Sequence, residues 1–195
     1  MSQTRAATYP QIGGHAALDL VDTVHWRLDP ARWIDTVPTF DAVLAWGTQV
    51  GVFGDARSAA LAATRDPAQA EREHAAVIAL REAIYAAVFE GSGSAAALIA
   101  REYVDAVQRS SWERSTDAGP WSWRTPDDIT GPRAAVAFLA HDLLASDLSA
   151  ARQCGDDACG WVYLDTSPRG NRVWCTAAGC GNRNRVARHH ARTKR

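Results

Sequence analysis

Between Ala68 and Glu90 the apolar side chains recur every three or four residues. Val77, Leu80, Ile84 and Val88 share one stripe, with Tyr85 and Phe89 beside it. That period predicts an amphipathic helix. Asp66-Pro67 starts it, since proline is tolerated in a first helical turn. His74 lies off the stripe and is expected at the surface. A second stripe, Val136, Leu139, Leu143, Leu144 and Leu148, predicts a helix from Pro132 to about Ala151. Shorter helices are expected over Asp41–Gly51, capped by Thr39 with Val43, Leu44 and Trp46 inward, and over Asp55–Arg65. Another runs from a Ser94 cap to about Val107, after the flexible Gly91-Ser92-Gly93-Ser94 turn. Trp121-Ser122-Trp123 alternates between Pro120 and Pro126 and predicts a short strand.

The N-terminal pattern is less decided. Residues 1–13 read as a loop or arm, and Pro30 and Pro38 bracket a loop holding Trp33. Between them, Leu18 and Val21, with Leu28 beyond, fit a helical stripe, leaving His15, Asp19, Asp22 and Trp26 on another side. Leu18, Leu20 and Val24 also alternate as a strand would. The whole pattern predicts an α+β chain: a helix-rich N-terminal domain with a small β element over residues 1–150, then a small module over 151–195.

Composition fits that division. The chain has 195 residues and 47% apolar content, enough for one ordinary domain and a module. It has no apolar run long enough to span a membrane. Met1 to Pro10 lacks the apolar segment of a signal peptide, so a cytoplasmic, reducing setting is expected. The net charge of −1 hides an asymmetry. From Ala151 onward nine Arg/Lys face three Asp, a net of +6, while twelve Arg and nineteen acids before it give −7. A basic tail on an acidic body suggests an anionic partner for the tail, or attraction between the two parts.

All four cysteines fall in that tail, as Cys154-x4-Cys159 and Cys175-x4-Cys180 with fifteen residues between. Two close pairs on tight knuckles, joined by a spacer that runs out and back as a hairpin, can converge on one tetrahedral ion. Gly155, Gly160, Gly179 and Gly181 flank the knuckles. Two disulfides or an iron–sulfur cluster would use the same thiols; the reducing setting and even pairing favour structural zinc. His189 and His190 are read as facing solvent or nucleic acid, because four thiolates complete the tetrahedron. Trp161, Tyr163 and Trp174 are expected to form the small core of the module.

If the chain is helical from Asn182, then Arg185, Arg188, Arg192 and Arg195 repeat at three, four and three residues, giving one basic face. Arg183, Arg185, Arg188, Arg192 and Lys194 are the candidate contacts to duplex DNA, since a guanidinium fork suits phosphate and guanine. RNA fits less well, because no aromatic side chains interleave with this face. A solvated terminal helix is the other reading, with Arg183 donating inside the module. In the body, His15, Asp19, Asp22 and Trp26 are dense for so apolar a stretch and are candidate ligand-binding residues. They serve equally as backbone caps. Asp22 with His25, and His141 with Asp142, could act as acid–base pairs. No nucleophile elbow, phosphate loop or catalytic metal motif accompanies them, so no enzyme activity is expected.

The residues around the cysteines carry a resemblance. Cys-Gly-Trp-Val-Tyr-Leu-Asp-Thr-Ser at 159–167, Arg172, Trp174-Cys175 and Cys180-Gly181-Asn182-Arg183 resemble the CGNR-type zinc finger. Thr176-Ala177-Ala178 stands where that family often carries a methionine. Gly14, Leu18, Asp19 and Thr23 resemble the opening of the ABATE domain that usually precedes such fingers. Asp22 replaces the usual Asn there, and Leu20 the usual aromatic. The resemblance implies a helix-rich α+β body with a ligand-sensing role and a treble-clef-like zinc finger that binds DNA, in a stress-responsive transcription regulator. The expected partners are duplex DNA, a small-molecule effector and a second copy of the chain, with no membrane. The alternative is a zinc-module adaptor that docks a protein instead of DNA.

Overall fold

The computed structural model describes residues 8–114 and 118–193. The chain divides into two compact units that do not follow the boundary at 150. One is Val37–Ser146 with the stretch ending at Tyr9; the other joins Pro10–Thr36 to Asp147–Arg195.

The first unit is helical. It holds α2 (Phe40–Gln49), α3 (Asp55–Thr64), α4 (Pro67–Phe89), α5 (Gly93–Arg109) and α6 (Gly131–Ala145); α1 lies in the other unit. The starts are capped as the side chains dictate. Thr39 Oγ1 accepts from Ala42 N at 3.2 Å and Asp66 Oδ1 from Gln69 N at 2.8 Å. Ser92, not Ser94, caps α5, accepting from Ala95 N at 3.3 Å. The core is where α2, α4, α5 and α6 meet. Trp46, Val77, Leu80, Ile84, Ile99, Val136 and Leu143 are buried there, each large apolar side chain stabilising by about 1.5–3 kcal/mol. Ala134, Ala137 and Ala140 keep the buried side of α6 thin, so its neighbours approach closely. Arg133 ties α6 to α4 and α5 through Glu73 at 3.0 Å and Glu102 at 3.4 Å.

Three expectations change here. The last body helix stops at Ala145, because Ser146 turns extended and its Oγ donates back to Leu143 O at 2.7 Å. His74 is half-buried on α4, with Nε2 2.9 Å from Val37 O, so it is not a free surface residue. The strand at Trp121–Arg124 (β4) exists, but it pairs with Ser111–Arg114 (β3), which the pattern did not mark. Their register sets Trp112 opposite Trp123 and Arg114 opposite Trp121.

The second unit opens with α1 (Ala16–Val21), then β1 (Val24–His25), paired antiparallel with β2 (Ile34–Asp35). The helical reading holds for Ala16–Val21, which includes Leu18 and Leu20; of the alternating set only Val24 is in a strand. β5 (Ala151–Gln153) and β6 (Val162–Leu164) form the hairpin that encloses the first cysteine pair. The strand hairpin is thus around the first knuckle, not within the spacer. A turn at Ala177–Gly181 leads into α7 (Asn182–Thr193). This arrangement is the α+β, treble-clef-like finger.

The N-terminal stretch completes that finger. Leu164 N donates to Gly13 O at 2.8 Å, Arg27 N to Cys159 O at 3.0 Å and Trp161 Nε1 to Val24 O at 3.0 Å. Leu18, Leu20, Val21 and Val24 are buried within it. Gly14, at φ +74°, lies over Leu164, where a backbone in the left-handed region favours glycine.

Candidate metal centre and basic helix

β5 delivers Cys154, the turn that leads into β6 holds Cys159, and the segment before α7 brings Cys175 and Cys180 to the same point. The four Sγ atoms lie within 4.8 Å of one another, and all four residues are buried. Cys159 Sγ stands 3.8 Å from Cys175 Sγ, and Cys175 Sγ 3.3 Å from Cys180 Sγ. Zinc–sulfur bonds of about 2.3 Å in a tetrahedron place the sulfurs roughly 3.8 Å apart, so the donor set fits zinc. No disulfide joins the thiols. Cys154 is pulled down, chiefly by hydrogen bonds from the Cys159 and Cys175 thiols. Cys159 and Cys175 are pushed up, chiefly by keeping their protons toward Cys154. Four such thiols ionise together only around a cation; zinc supplies that charge and staples the knuckles.

The sulfurs are aimed by polar neighbours. Cys175 N donates to Cys154 Sγ at 3.4 Å, and Arg183 Nη2 to Cys180 Sγ at 3.0 Å. Asp156, buried between the first two ligands, ties the start of α7 to the first knuckle. Its Oδ2 accepts from Arg183 Nη2 at 2.9 Å and from Asn184 Nδ2 at 2.6 Å. Across the centre, Arg172 lies 3.8 Å over the Tyr163 ring, and its Nε donates to Trp174 O at 3.1 Å. Tyr163 OH donates back to Arg172 O at 2.8 Å, and burial pushes this phenol up to about 12. The Asp-x-Ser turn is a local lock: Asp165 accepts from Ser167 N at 2.9 Å and Arg172 N at 2.9 Å. The Ser167 bonds hold its carboxyl below the usual range. Tyr163, with Trp161 and Trp174 partly buried beside it, packs on the cysteines as the module's core.

The candidate ligand-binding residues of the N-terminal stretch fall in this unit. His15 Nδ1 caps α1, accepting from Ala17 N at 3.2 Å. Asp19 Oδ1 accepts from Gly13 N at 2.8 Å, and burial raises its carboxyl. Asp22 Oδ1 accepts from Val162 N at 2.8 Å, while its buried Oδ2 has no hydrogen-bond partner. Burial drives Asp22 well above the usual carboxylate range. These three hold backbone rather than line a cavity. Trp26 differs: its φ is +57°, uncommon for a bulky residue. Its ring lies 4.0 Å from the Arg32 guanidinium and 4.4 Å from that of Arg183. With His25 and Trp161 it lines a pocket of about 250 Å³ that reaches Cys159, Cys175 and Cys180.

The candidate DNA-binding residues divide. Arg183 is spent inside the finger on Asp156, Cys180 and Trp26. Arg185 sits two residues on, roughly 200° round the helix, and is exposed, as are Arg188 and Arg192. Lys194 lies outside the described residues. Every residue from Arg185 to Thr193 is exposed, and α7 contains no acid. His189 and His190 are exposed with them, 6.1 Å apart. Asp156 is the site residue that sequence reasoning missed. Its place between two ligand cysteines, with an arginine after the last ligand, was the available signal.

A family profile described as "Putative stress-induced transcription regulator", the ABATE domain, matches residues 14–147. The chain belongs to the ABATE family. The CGNR zinc finger profile matches residues 151–193 of this ABATE protein. No curated protein matches the chain. Both profiles are of regulator and zinc-finger types rather than enzymes. The ABATE match begins at Gly14, inside the stretch that completes the finger. Among the described residues, no helix is long and apolar enough to cross a membrane.

Proposed function

We propose that this ABATE protein is a DNA-binding transcription regulator: α7 binds duplex DNA, and the Val37–Ser146 unit senses a small molecule. The observation that carries the reading is α7 itself. It buries nothing from Arg185 onward, carries Arg185, Arg188 and Arg192 on one side, and opposes them with no acid. A helix of twelve residues with no packed face is marginal in water. A phosphate backbone would supply both the charge and the packing it lacks.

The test is a salt titration of duplex binding with the full zinc-loaded chain. Four neutralised phosphates give a log–log slope of roughly −3 to −4. Arg188→Ala should weaken all sequences alike where it touches phosphate. Where it reads guanine, it should relax one base position by about 1–3 kcal/mol. A folded, zinc-loaded chain with no salt-dependent affinity for any duplex would return α7 to the adaptor reading.

A further inference from the structure

A wide opening lies in the helical unit, far along the chain from the cysteines. It measures about 850 Å³, between α3, α5, α6 and the β3–β4 hairpin. That is within the usual size of small-ligand sites. One wall is aromatic. Trp123 stacks on Phe138 at 5.9 Å, Phe138 meets Tyr103 edge-on at 5.7 Å, and Tyr103 stacks on His141 at 3.8 Å. The four rings come from three elements, and all four line the opening. Trp123 is still 37% exposed, although it stands on a hairpin whose other described positions are also open.

Arg57, Arg114 and Arg124 also reach the opening, together with Glu113 and Asp142. Arg57 is held in place: Nη1 donates to Thr125 Oγ1 at 2.8 Å, and Nη2 donates to Pro126 O. Its buried Nε has no hydrogen-bond acceptor, with Asp127 Oδ1 standing off at 3.7 Å. Arg124 is bonded to Asp127 at 2.6 Å, but both side chains are about 60% exposed. So exposed an ion pair is weak, and it exchanges for a ligand's anion. A guanidinium held in place, a second whose partners Asp127 and Glu113 are exposed, and an aromatic wall recognise a flat ring that carries an acid.

We propose that this cavity binds a planar aromatic anion, with its ring on the Trp123–Phe138–Tyr103–His141 wall and its acidic group on Arg57 and Arg124. The proposal deepens, and rests on, the sensory reading of the helical unit. The probes are 2-naphthoate, neutral 2-naphthol and cationic 2-naphthylmethylamine, titrated calorimetrically into the full zinc-loaded chain. Naphthoate should bind saturably at one site per chain. Naphthol should bind about tenfold more weakly, the scale of one charged hydrogen bond, and the amine more weakly still. Trp123→Ala should weaken all three by about tenfold. Arg124→Gln, at an exposed position that does not hold the fold, should erase the preference for naphthoate over naphthol. Arg57→Gln should do the same if circular dichroism shows it folded.

Equal binding of the amine and the acid would overturn the proposal. So would unchanged affinity in Trp123→Ala, or no saturable binding by a folded chain. Duplex affinity is measured separately, with and without naphthoate. Binding at this site that leaves duplex affinity unchanged upholds the site and overturns the sensory role, while loss of duplex binding alone touches only α7.

Discussion

Asp156 concentrates three jobs in one carboxylate: it turns the first knuckle, anchors Arg183 and anchors Asn184. Groups that orient metal ligands typically contribute 10–100-fold in metal affinity. Asp156→Ala should therefore weaken zinc by about that factor in a chelator competition, with Arg183 losing its hold on Cys180 Sγ. An affinity equal to the parent's would show that the zinc site does not depend on Asp156. Asp22 is a second test at this scale. It is fully buried, its Oδ2 is unpaired, and its carboxyl is raised well above the ordinary range by burial. A raised folded-state pKa means the folded chain holds the proton more tightly than the unfolded one. The stability this gives is complete below the unfolded value, near 3.9, and is lost as pH rises through the folded value. Asn keeps one oxygen for Val162 N and never ionises. Asp22→Asn should raise the thermal midpoint at neutral pH and gain progressively less toward pH 4. A gain that is the same at every pH would remove the buried charge as its cause.

α7 is an element built in two parts. Its first turn is fixed by Asp156 through Arg183 and Asn184, and the rest stands in solvent. Ala187→Gly lies in the free part and costs about 1 kcal/mol of helix. It should weaken duplex binding by up to about fivefold while leaving zinc affinity unchanged. A fall in zinc affinity instead would mean that the free part supports the metal site. The helices of the other unit were largely legible because period and cap are local properties of the side chains, while the cap of α5 and the stop of α6 fell elsewhere, at Ser92 and Ala145. Thr39, Asp66 and the Val77–Leu80–Ile84 stripe sit where their chemistry predicts. β3 was not legible, since all four of its positions are exposed and carry no alternation. The cysteines were legible as a set, and Arg185, Arg188 and Arg192 as a face. The inward turn of Arg183 follows only from where Asp156 ends up.

At the scale of the whole molecule, the finger is a composite of chain segments more than a hundred residues apart. Three of the bonds that join them run to Gly13 O, Val24 O and Cys159 O, backbone atoms that every residue type offers, and another runs to Asp22 Oδ1. No side-chain pattern announces such partners, so the sequence left Asp19 and Asp22 open between a pocket and backbone caps. Both brace backbone, Asp19 at Gly13 N and Asp22 at Val162 N of β6. A consequence is that residues 151–195 are an incomplete module. Without Pro10–Thr36, Trp161 Nε1 and Val162 N lose their acceptors, and Cys159 O loses the Arg27 N donor. Each lost hydrogen bond, its donor now met by water, costs about 0.5–1.5 kcal/mol. Because zinc binding and folding of such modules are one equilibrium, that cost appears as lost metal affinity. The 151–195 fragment should hold zinc at least about tenfold more weakly than the full chain, the equivalent of two such bonds. Adding a peptide of residues 10–36 should recover part of the loss, and the same peptide carrying Asp22→Ala should recover less. A fragment that binds zinc as tightly as the full chain, with a native near-ultraviolet spectrum from Trp161 and Trp174, would show that the N-terminal stretch only rests on a finger able to stand alone.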